Sequence, residues 1–339
     1  MELIIRNGNV LDAVEHFPEI KLWVDDWLSN KSNFQFETSG TSGVRKQLIF
    51  SRTQLIASAK RTCDFFHLGS GTKVLHRLPM QFVAGKMNIV RALVAGHSVW
   101  VEQPSMHFNL PWNPENIQWD WWTTTPAMLA AFLEAKLDPN VFQKILLGGG
   151  KVPTQLRNQL INFNGHCFES YGATETLTHI AVRSIMPIPS HFRLFDGVSV
   201  MEHQDGIEIH DNVTKIQVSL NDALHFYGEN EFEVLGRLDD VINSGGLKIH
   251  PLLVEEVLAH WTSLPFYITQ SPDNKWGKAV TLVVLKSDIL EWKSLNLKII
   301  FENHPNWRPR KIVLVQKMDR NENGKIVRKY NPEGMVDSI

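Results

Sequence analysis

The sequence has few of the features that mark secreted or metal-binding proteins. Its 339 residues include two cysteines, Cys63 and Cys167, which have no CxxC or Cys/His ligand spacing. A disulfide framework and a structural zinc site are therefore not expected, which fits a reducing compartment. The fourteen histidines are scattered and form no HExxH motif, so most are expected to lie at the surface or at the edge of the core.

Charge and hydropathy exclude two further classes of partner. The net charge is −2 and the isoelectric point is about 6.7, so no basic excess attracts nucleic acid or an anionic membrane. No apolar run approaches the roughly 20 residues needed to span a bilayer, and the N-terminus lacks a signal-peptide pattern. A cytoplasmic protein that binds neither nucleic acid nor membrane is therefore predicted. Nothing in the sequence specifies its oligomeric state.

The order of apolar segments predicts an α/β fold. Apolar residues make up 43% of the chain, enough for a large core in two or three domains. Short apolar strands alternate with amphipathic helices as far as about residue 190, which is typical of a sheet with many parallel strands. Among the predicted helices are 11–30, 54–66, one entered by Pro126 at its first position, and one capped by Thr154.

The pattern changes after about residue 190. Short alternating strands between 198 and 235 predict a small antiparallel region, and a second unit is predicted to begin near Gly236. In that unit Pro251 is expected to open a helix. Its buried face is predicted from residues at helical spacing: Val254, Val257, Leu258 and Trp261.

A loop of small and hydroxyl residues is the most distinctive stretch. Thr38 to Gly43 are all Thr, Ser or Gly, and Lys46 follows three positions later. Free backbone N–H groups, hydroxyls and a lysine can surround an anion, and a polyphosphate is the obvious ligand. The alternative is an ordinary surface loop between two strands. It is not the P-loop of the NTPases, because Lys46 is wrongly spaced and is followed by Gln47.

Two further glycine loops follow predicted strands directly. Gly148–Gly150 comes after the apolar strand 144–147, and Ser170–Gly172 comes after the strand 166–169. Ligands bind where such strands end in parallel sheets. Glycine and charged residues also recur at 236–248 and 321–325.

Taken together, these loops resemble the motifs of the acyl-adenylate-forming (AMP-binding) enzymes, in the same order along the chain. The matching segments are 38–46, Ser170-Tyr171-Gly172-Ala173-Thr174-Glu175-Thr176, Gly236-Arg237-Leu238-Asp239-Asp240, 244–251 and Asn323-Gly324-Lys325. The resemblance implies an adenylation domain at 1–238, shorter at its N-terminus than typical members, and a small mobile α+β domain at 239–339. The N-terminal domain would contain mixed parallel sheets and a small antiparallel subdomain.

The resemblance also implies cofactors and residue roles. ATP, Mg²⁺ and coenzyme A would be used. Lys325, Thr174 and Glu175 would be catalytic, with Glu175 also binding the metal, and Asp239 would be the hinge. The nucleotide would be bound by Thr38, Ser39, Gly40, Thr41, Ser42, Gly43, Lys46, Gly148, Gly149, Gly150, Tyr171, Gly172, Asp222, Arg237 and Lys248. Val44-Arg45 and Asn321 depart from the usual motifs.

Within the superfamily, the chain is similar to o-succinylbenzoate–CoA ligases of menaquinone biosynthesis. The similarity lies in Leu78-Pro79-x-x-x-Val83-x-Gly85 and in the Tyr-Gly-Ala-Thr-Glu-Thr motif that precedes Thr178-His179-Ile180. That substrate has a second carboxylate, for which Lys86, Arg91 and His179 are the candidate ligands, Lys86 being favoured. The alternatives are another acyl- or aryl-CoA ligase and a non-catalytic nucleotide-binding relative.

Overall fold

The computed structural model describes residues 1–38, 46–113, 116–185, 190–319 and 328, and the backbone of 335–338. None of the helices in these ranges is both long enough and apolar enough to cross a membrane. The predicted α/β architecture, with a small antiparallel region and a C-terminal α+β unit, is confirmed.

A mixed sheet organises the N-terminal part of the chain. Within the described residues it contains eleven strands: β1 (Glu2–Arg6), β2 (Asn9–Val10), β5 (Lys73–His76), β6 (Ser98–Val101), β7 (Trp119–Thr124), β8 (Phe142–Leu147), β9 (His166–Gly172), β10 (His179–Ser184), β11 (Phe192–Leu194), β15 (Asp222–Phe226) and β16 (Glu231–Arg237). Their order across the sheet is β15-β16-β11-β10-β9-β8-β7-β5-β6-β1-β2. The pairs from β6 through β5, β7 and β8 to β9 are parallel, and the flanking pairs are antiparallel.

Two smaller antiparallel sheets accompany the large one. The strands β3 (Asn33–Glu37) and β4 (Gln47–Ser51) form a hairpin. The strands β12 (Val198–His203), β13 (Gly206–Asp211) and β14 (Ile216–Leu220) form a three-stranded sheet, as the alternating pattern predicted.

Helices cover the large sheet because the central parallel strands are apolar on both faces. Trp121 and Trp122 on β7 are both buried, which requires packing from each side. The N-terminal helices are α1 (Pro18–Leu28), α2 (Arg52–Phe66), α3 (Val83–Ala95), α4 (Pro126–Glu134) and α5 (Thr154–Gln159).

The sequence signals for helix starts are mostly correct. Ser51 and Gln54 form a reciprocal capping box at α2, and Pro126 occupies the first turn of α4 after the cap Thr125. The prediction that Thr154 caps α5 is wrong, because Pro153 is the N-cap residue and no side chain caps that helix.

The C-terminal unit has a hydrophobic core of its own, which includes Ile242, Val254, Ile268, Leu282 and Trp292. Its elements are β17 (Ile242–Ser244), β18 (Leu247–Ile249), α6 (Pro251–Ala259), β19 (Phe266–Asp273), β20 (Gly277–Leu285), α7 (Ile289–Ser294), α8 (Leu297–Ile300), β21 (Lys311–Val315) and β22 (Met335–Ser338).

The predicted apolar face of α6 is correct for its first part only. Val254 and Leu258 are buried and Val257 packs against the core. The helix ends at Ala259, and Trp261 beyond it is 55% exposed. Helical spacing therefore predicted Trp261 as part of the buried face of α6, but the helix ends before that residue.

Candidate active site

The candidate phosphate loop connects the two strands of the β3–β4 hairpin. Backbone N–H of Thr38 donates to the carbonyl of Lys46 at 2.9 Å, and the N–H of Lys46 donates to Thr38 Oγ1 at 3.0 Å. These two bonds close the base of the loop. Ser39, Gly40, Thr41, Ser42 and Gly43 lie outside the described residues, so their assignment to phosphate remains a prediction.

The Gly148–Gly150 loop lies at the end of β8, beside the end of the parallel strand β9. Gly149 has a positive φ of 82°, a conformation that glycine adopts without strain. A Cβ at Gly148 would lie 3.0 Å from Ser170 Oγ, so the Gly148–Gly150 loop is in close contact with Ser170. The prediction of a second loop at Ser170–Gly172 is wrong, because these residues are the last three of strand β9.

The residues assigned to the adenine and the ribose are in direct contact. Tyr171 Oη donates to Asp222 Oδ2 at 2.7 Å, and Asp222 Oδ1 lies 3.8 Å from Arg237 Nη1. The pairing of β15 with β16 places Asp222 opposite Arg237. Burial and the charge of Asp222 raise the pKa of Tyr171, so its phenol stays protonated and donates.

The ring of Tyr171 also packs against two phenylalanine rings, which leaves less of its surface available for stacking on an adenine base. Its ring is 5.3 Å from that of Phe232 and 6.0 Å from that of Phe192, and it is 9% exposed. The Tyr171–Asp222 bond fixes the orientation of the carboxylate at the start of β15. Adenine stacking on Tyr171 stays a prediction.

A tight turn presents Thr174 and Glu175. Thr176 Oγ1 accepts from the N–H of Ala173 at 2.9 Å and donates within the turn, and Leu177 has a positive φ of 64°. A side chain at Gly172 would overlap the carbonyl of Thr178, so only glycine fits there. Thr174 and Glu175 are partly exposed, and neither side chain forms a hydrogen bond or ion pair with the described part of the chain. The carbonyl of Thr174 accepts from the N–H of Leu177 at 2.9 Å.

A partly exposed carboxylate without a protein partner suits a hard cation that also binds phosphate oxygens. Among the described residues, no group of three His, Cys, Asp or Glu side chains could hold a metal alone. Binding of Mg²⁺ by Glu175 remains a prediction.

Asp239 lies in the turn Leu238–Asp240, between β16 and β17, and its role as a hinge remains a prediction. It accepts from Asn221 Nδ2 at 2.9 Å and pairs with Arg237 Nη2 at 3.3 Å. The sequence did not single out Asn221, and no spacing rule would have found it. Lys248, on β18, is exposed, and Lys325 lies outside the described residues.

Arg91 on α3 is a buried arginine. It is 2% exposed, and its Nε and Nη1 have no hydrogen-bond partner among the described residues. Burial lowers the pKa of Arg91 to about 10, which still leaves it cationic at neutral pH. Burial is the main cause that lowers the pKa of His179, and the charges of Arg91 and Arg61 lower it further.

His179 is held between two hydroxyls. Thr62 Oγ1 lies 3.2 Å from its Nε2, and Thr178 Oγ1 lies 3.1 Å from its Nδ1. His179 also pairs with Gly172 across β9 and β10, which places it next to the Tyr171–Thr176 motif. Thr62 was missed by sequence reasoning, because nothing in its local pattern distinguishes it from any helical threonine.

The side chain of Lys86 lies in a different environment from that of Arg91. Its Nζ donates to the carbonyl of Gln35 at 3.1 Å and lies 5.1 and 5.0 Å from the ring centroids of Trp23 and Phe36. Burial lowers the pKa of Lys86. The two residues are five apart on α3, about 140° around the helix axis, so one ligand group cannot face both.

A family model described as AMP-binding enzyme matches residues 34–214. The chain belongs to the AMP-binding enzyme family. A 2-succinylbenzoate–CoA ligase of Staphylococcus epidermidis is 24% identical over 323 residues, which cover 86% of this chain and 68% of that protein.

Solved structures resemble this AMP-binding enzyme along most of its length. An acyl-CoA synthetase (AMP-forming)/AMP-acid ligase II-like protein from Dyadobacter fermentans is 27% identical, with a TM-score of 0.61 and 91% of each chain covered. The o-succinylbenzoate CoA synthetase of Bacillus subtilis, in complex with the acyl-adenylate intermediate, is 21% identical, with a TM-score of 0.74 and coverage of 89% and 69%. The latter likeness supports the fold.

Proposed function

We propose that the protein is an AMP-forming acyl-CoA ligase. A carboxylate oxygen of the acid attacks the α-phosphorus of ATP, and pyrophosphate leaves. The thiol of coenzyme A then attacks the acyl carbon, its proton is lost, and AMP leaves. This proposal is supported by family membership, by the Tyr171–Asp222–Arg237 contacts and by the ligase names of the relatives.

The chain's own side chains have distinct tasks in this proposal. Asp222 accepts hydrogen bonds from the ribose hydroxyls while Tyr171 fixes its orientation, and Arg237 adds a donor. The Thr38–Lys46 loop surrounds the departing pyrophosphate, and Thr174 donates to the α-phosphate. Lys325 bridges the acid and the α-phosphate as charge moves between them. Magnesium held by Glu175 would neutralise phosphate charge.

The proposed acid is o-succinylbenzoate, which would place the enzyme in menaquinone biosynthesis. Arg91 is the observation that carries this choice. No carboxylate pairs with Arg91 among the described residues, and a buried cation without a counterion costs several kcal/mol. An anion supplied by the substrate would remove that cost. The second carboxylate of a dicarboxylic acid would be such an anion.

Arg91, rather than Lys86, is therefore the proposed ligand of the second carboxylate. The ammonium of Lys86 already has a carbonyl and two aromatic rings as partners, whereas Nε and Nη1 of Arg91 have no hydrogen-bond partner among the described residues. His179, neutral because its pKa is lowered, would add a hydrogen bond rather than a charge.

We further propose two domains, 1–238 and 239–339, with a hinge at Asp239. In one orientation Lys325 would serve adenylation, and in the other the 244–248 loop and Lys248 would serve thioester formation. The separate hydrophobic core of the C-terminal unit and the position of Asp239 between the units support this division.

The deciding experiment measures AMP release dependent on coenzyme A with a panel of acids. The matched pair is o-succinylbenzoate and 4-oxo-4-phenylbutanoate, which lacks only the ring carboxylate. We expect kcat/KM to favour o-succinylbenzoate by about 100-fold or more, the range expected for loss of a group that pairs with a buried charge. A preference for a fatty or aryl monocarboxylic acid would instead support another acyl-CoA ligase. ATP binding without acid-dependent AMP release would support a non-catalytic relative.

A further inference from the structure

Glu169 on β9 has a buried carboxylate whose two oxygens have different partners. Its Oε2 accepts from Arg183 Nε at 2.7 Å, and Arg183 Nη2 lies 2.6 Å from the same oxygen. Nη2 of Arg157, on α5, donates to that oxygen at 3.4 Å. The other oxygen, Oε1, accepts from the backbone N–H of Val152 at 2.9 Å. The two guanidinium groups thus fix the direction of the carboxylate, and its free oxygen faces the backbone of Val152.

The segment 148–151 is held at both ends by consecutive residues of β9. Before the segment, Ser170 Oγ donates to the carbonyl of Leu147 at 2.9 Å. After the segment, Glu169 accepts from the N–H of Val152. These two bonds therefore set where the segment lies relative to the motif strand.

The composition of this segment makes its position depend on its ends. Three of its four residues are glycine, which loses more conformational freedom on ordering than any other residue. A binding loop that is ordered before its ligand arrives avoids that cost at the moment of binding. Stability alone does not account for the buried ion pair, since apolar side chains of similar volume are often as stabilising. Such side chains could not accept from the N–H of Val152.

We infer that Glu169 is a positioning residue for nucleotide binding: by accepting from the N–H of Val152, it holds the segment 148–151 against β9 before the nucleotide binds. The inference rests on the proposed function for the role of Gly148–Gly150 at the nucleotide. Glu169 is 3% exposed, so it acts through the backbone of the loop and not by direct contact with the ligand.

The first test compares two double variants that differ only in the acceptor at position 169. Glu169→Gln/Arg183→Met keeps an acceptor for Val152, whereas Glu169→Met/Arg183→Met has none. Both lose the ion pair with Arg183, both retain Arg157, and glutamine and methionine have similar length. The exchange rate of the Val152 amide proton is measured by NMR without ligand. We expect exchange about 10-fold faster in the second variant than in the first, the effect of one lost hydrogen bond.

The second test measures nucleotide affinity in the same two variants. The Kd for ATP with Mg²⁺ is determined by isothermal titration calorimetry. We expect Glu169→Met/Arg183→Met to bind ATP about 10-fold more weakly than Glu169→Gln/Arg183→Met, because its loop must be ordered during binding. The KM for the acid is expected to agree within about twofold between the two variants. If the ion pair had only a structural role, both variants would bind ATP equally.

Two single variants replace the double variants if these do not fold. Glu169→Gln retains the reach to Val152 without the charge, whereas Glu169→Asp retains the charge but is one methylene shorter. We expect Glu169→Gln to bind ATP more tightly than Glu169→Asp, and the reverse order would overturn the inference.

Equal Val152 exchange or an equal Kd in the two double variants would also overturn the inference. Failure of the proposed function would be seen separately, as absence of ATP binding by the wild type. The exchange rates would in that case still decide whether Glu169 holds the loop.

Discussion

Lys151 Nζ lies 3.2 Å from Glu256 Oε2, which joins the end of the Gly148–Gly150 loop to helix α6 of the C-terminal unit. A second bond runs beside it, from Gln155 Nε2 to the carbonyl of Thr262 at 2.9 Å. The candidate nucleotide loop is therefore attached to the unit that is proposed to rotate. If the two units rotate as proposed, these contacts would break.

Loss of the Lys151–Glu256 pair is expected to shift the balance between the two half-reactions. Both side chains are about a third exposed, so the pair contributes about 1 kcal/mol at most. Glu256→Gln should then change the two half-reaction rates in opposite directions, each by up to about fivefold. The rates are measured separately, as ATP–pyrophosphate exchange and as thioester formation from supplied acyl-adenylate.

The control for this prediction is Asp25→Asn, which removes a similarly exposed ion pair with Lys21 on α1. It is expected to leave both rates unchanged. If Glu256→Gln moved both rates in the same direction, the pair would not distinguish two orientations.

Substitutions at the lysine and at the hinge are expected to have opposite effects. Lys325→Ala should abolish adenylation and largely spare thioester formation from supplied acyl-adenylate, with Lys329→Ala as its control. Asp239→Pro should retain adenylation and lose thioester formation, because proline fixes φ at the proposed hinge. Asp239→Asn controls for the lost contacts with Asn221 and Arg237. Unchanged overall turnover in Asp239→Pro would count against the hinge.

Arg91→Met is expected to stabilise the protein while it reduces activity. Arg91 has no anionic partner among the described residues. Replacing such a buried cation by an apolar side chain of similar length removes a desolvation cost, and comparable replacements raise stability by about 1–4 kcal/mol. The preference for o-succinylbenzoate over 4-oxo-4-phenylbutanoate should disappear in the same variant. The free energy of unfolding is measured in urea without ligand.

The matched comparison is Arg61→Met. Arg61 is also buried, but it pairs with Asp211 at 2.7 Å, so its removal leaves a buried carboxylate unpaired. This variant is expected to lose about 3–5 kcal/mol. A similar loss in Arg91→Met would mean that Arg91 already has an anionic partner within the fold, and the dicarboxylate proposal would lose its basis.

Buried histidines are expected to make the protein sensitive to acid. Burial lowers the pKa of His76 to about 4 from its usual 6.5, and that of His97 likewise to about 4. Between pH 4 and 6.5 the unfolded state therefore binds more protons, and the free energy of unfolding falls as the pH falls. Each histidine contributes up to about 1.4 kcal/mol per pH unit.

His76→Gln should reduce the pH dependence of the free energy of unfolding by the contribution of one histidine. Its Nδ1 lies 3.2 Å from Asn88 Nδ2, and a glutamine can also offer an acceptor. Urea unfolding at several pH values from 4.5 to 6.5 measures the slope. His67→Asn, at an exposed left-handed helix cap, is the control and should leave the slope unchanged. An unaltered slope in His76→Gln would show that another group is responsible.

The fold class could be predicted because its signals are local. Each signal depends on a few neighbouring residues. The signals are the alternation of strands and helices, the glycines at the ends of β8 and β9, and Pro126 at a helix start. The failures at Thr154 and Trp261 are also local in origin. At α5 the N-cap residue is Pro153, which precedes Thr154. At α6 no sequence signal marks the end of the helix before Trp261, so the helical spacing of Trp261 was misleading.

By itself, the sequence determined the α/β architecture, the order of the motifs and the residue types available for chemistry, since backbone preference and hydrophobic period act over short stretches. Only the tertiary structure decided which of those residues meet. Tyr171 and Asp222 are 51 residues apart, Glu255 and Arg328 are 73 apart, and Lys151 and Glu256 are 105 apart. Whether Arg91 is paired depends likewise on every side chain packed around it. Such contacts are set by strand order and helix packing, which no local pattern encodes.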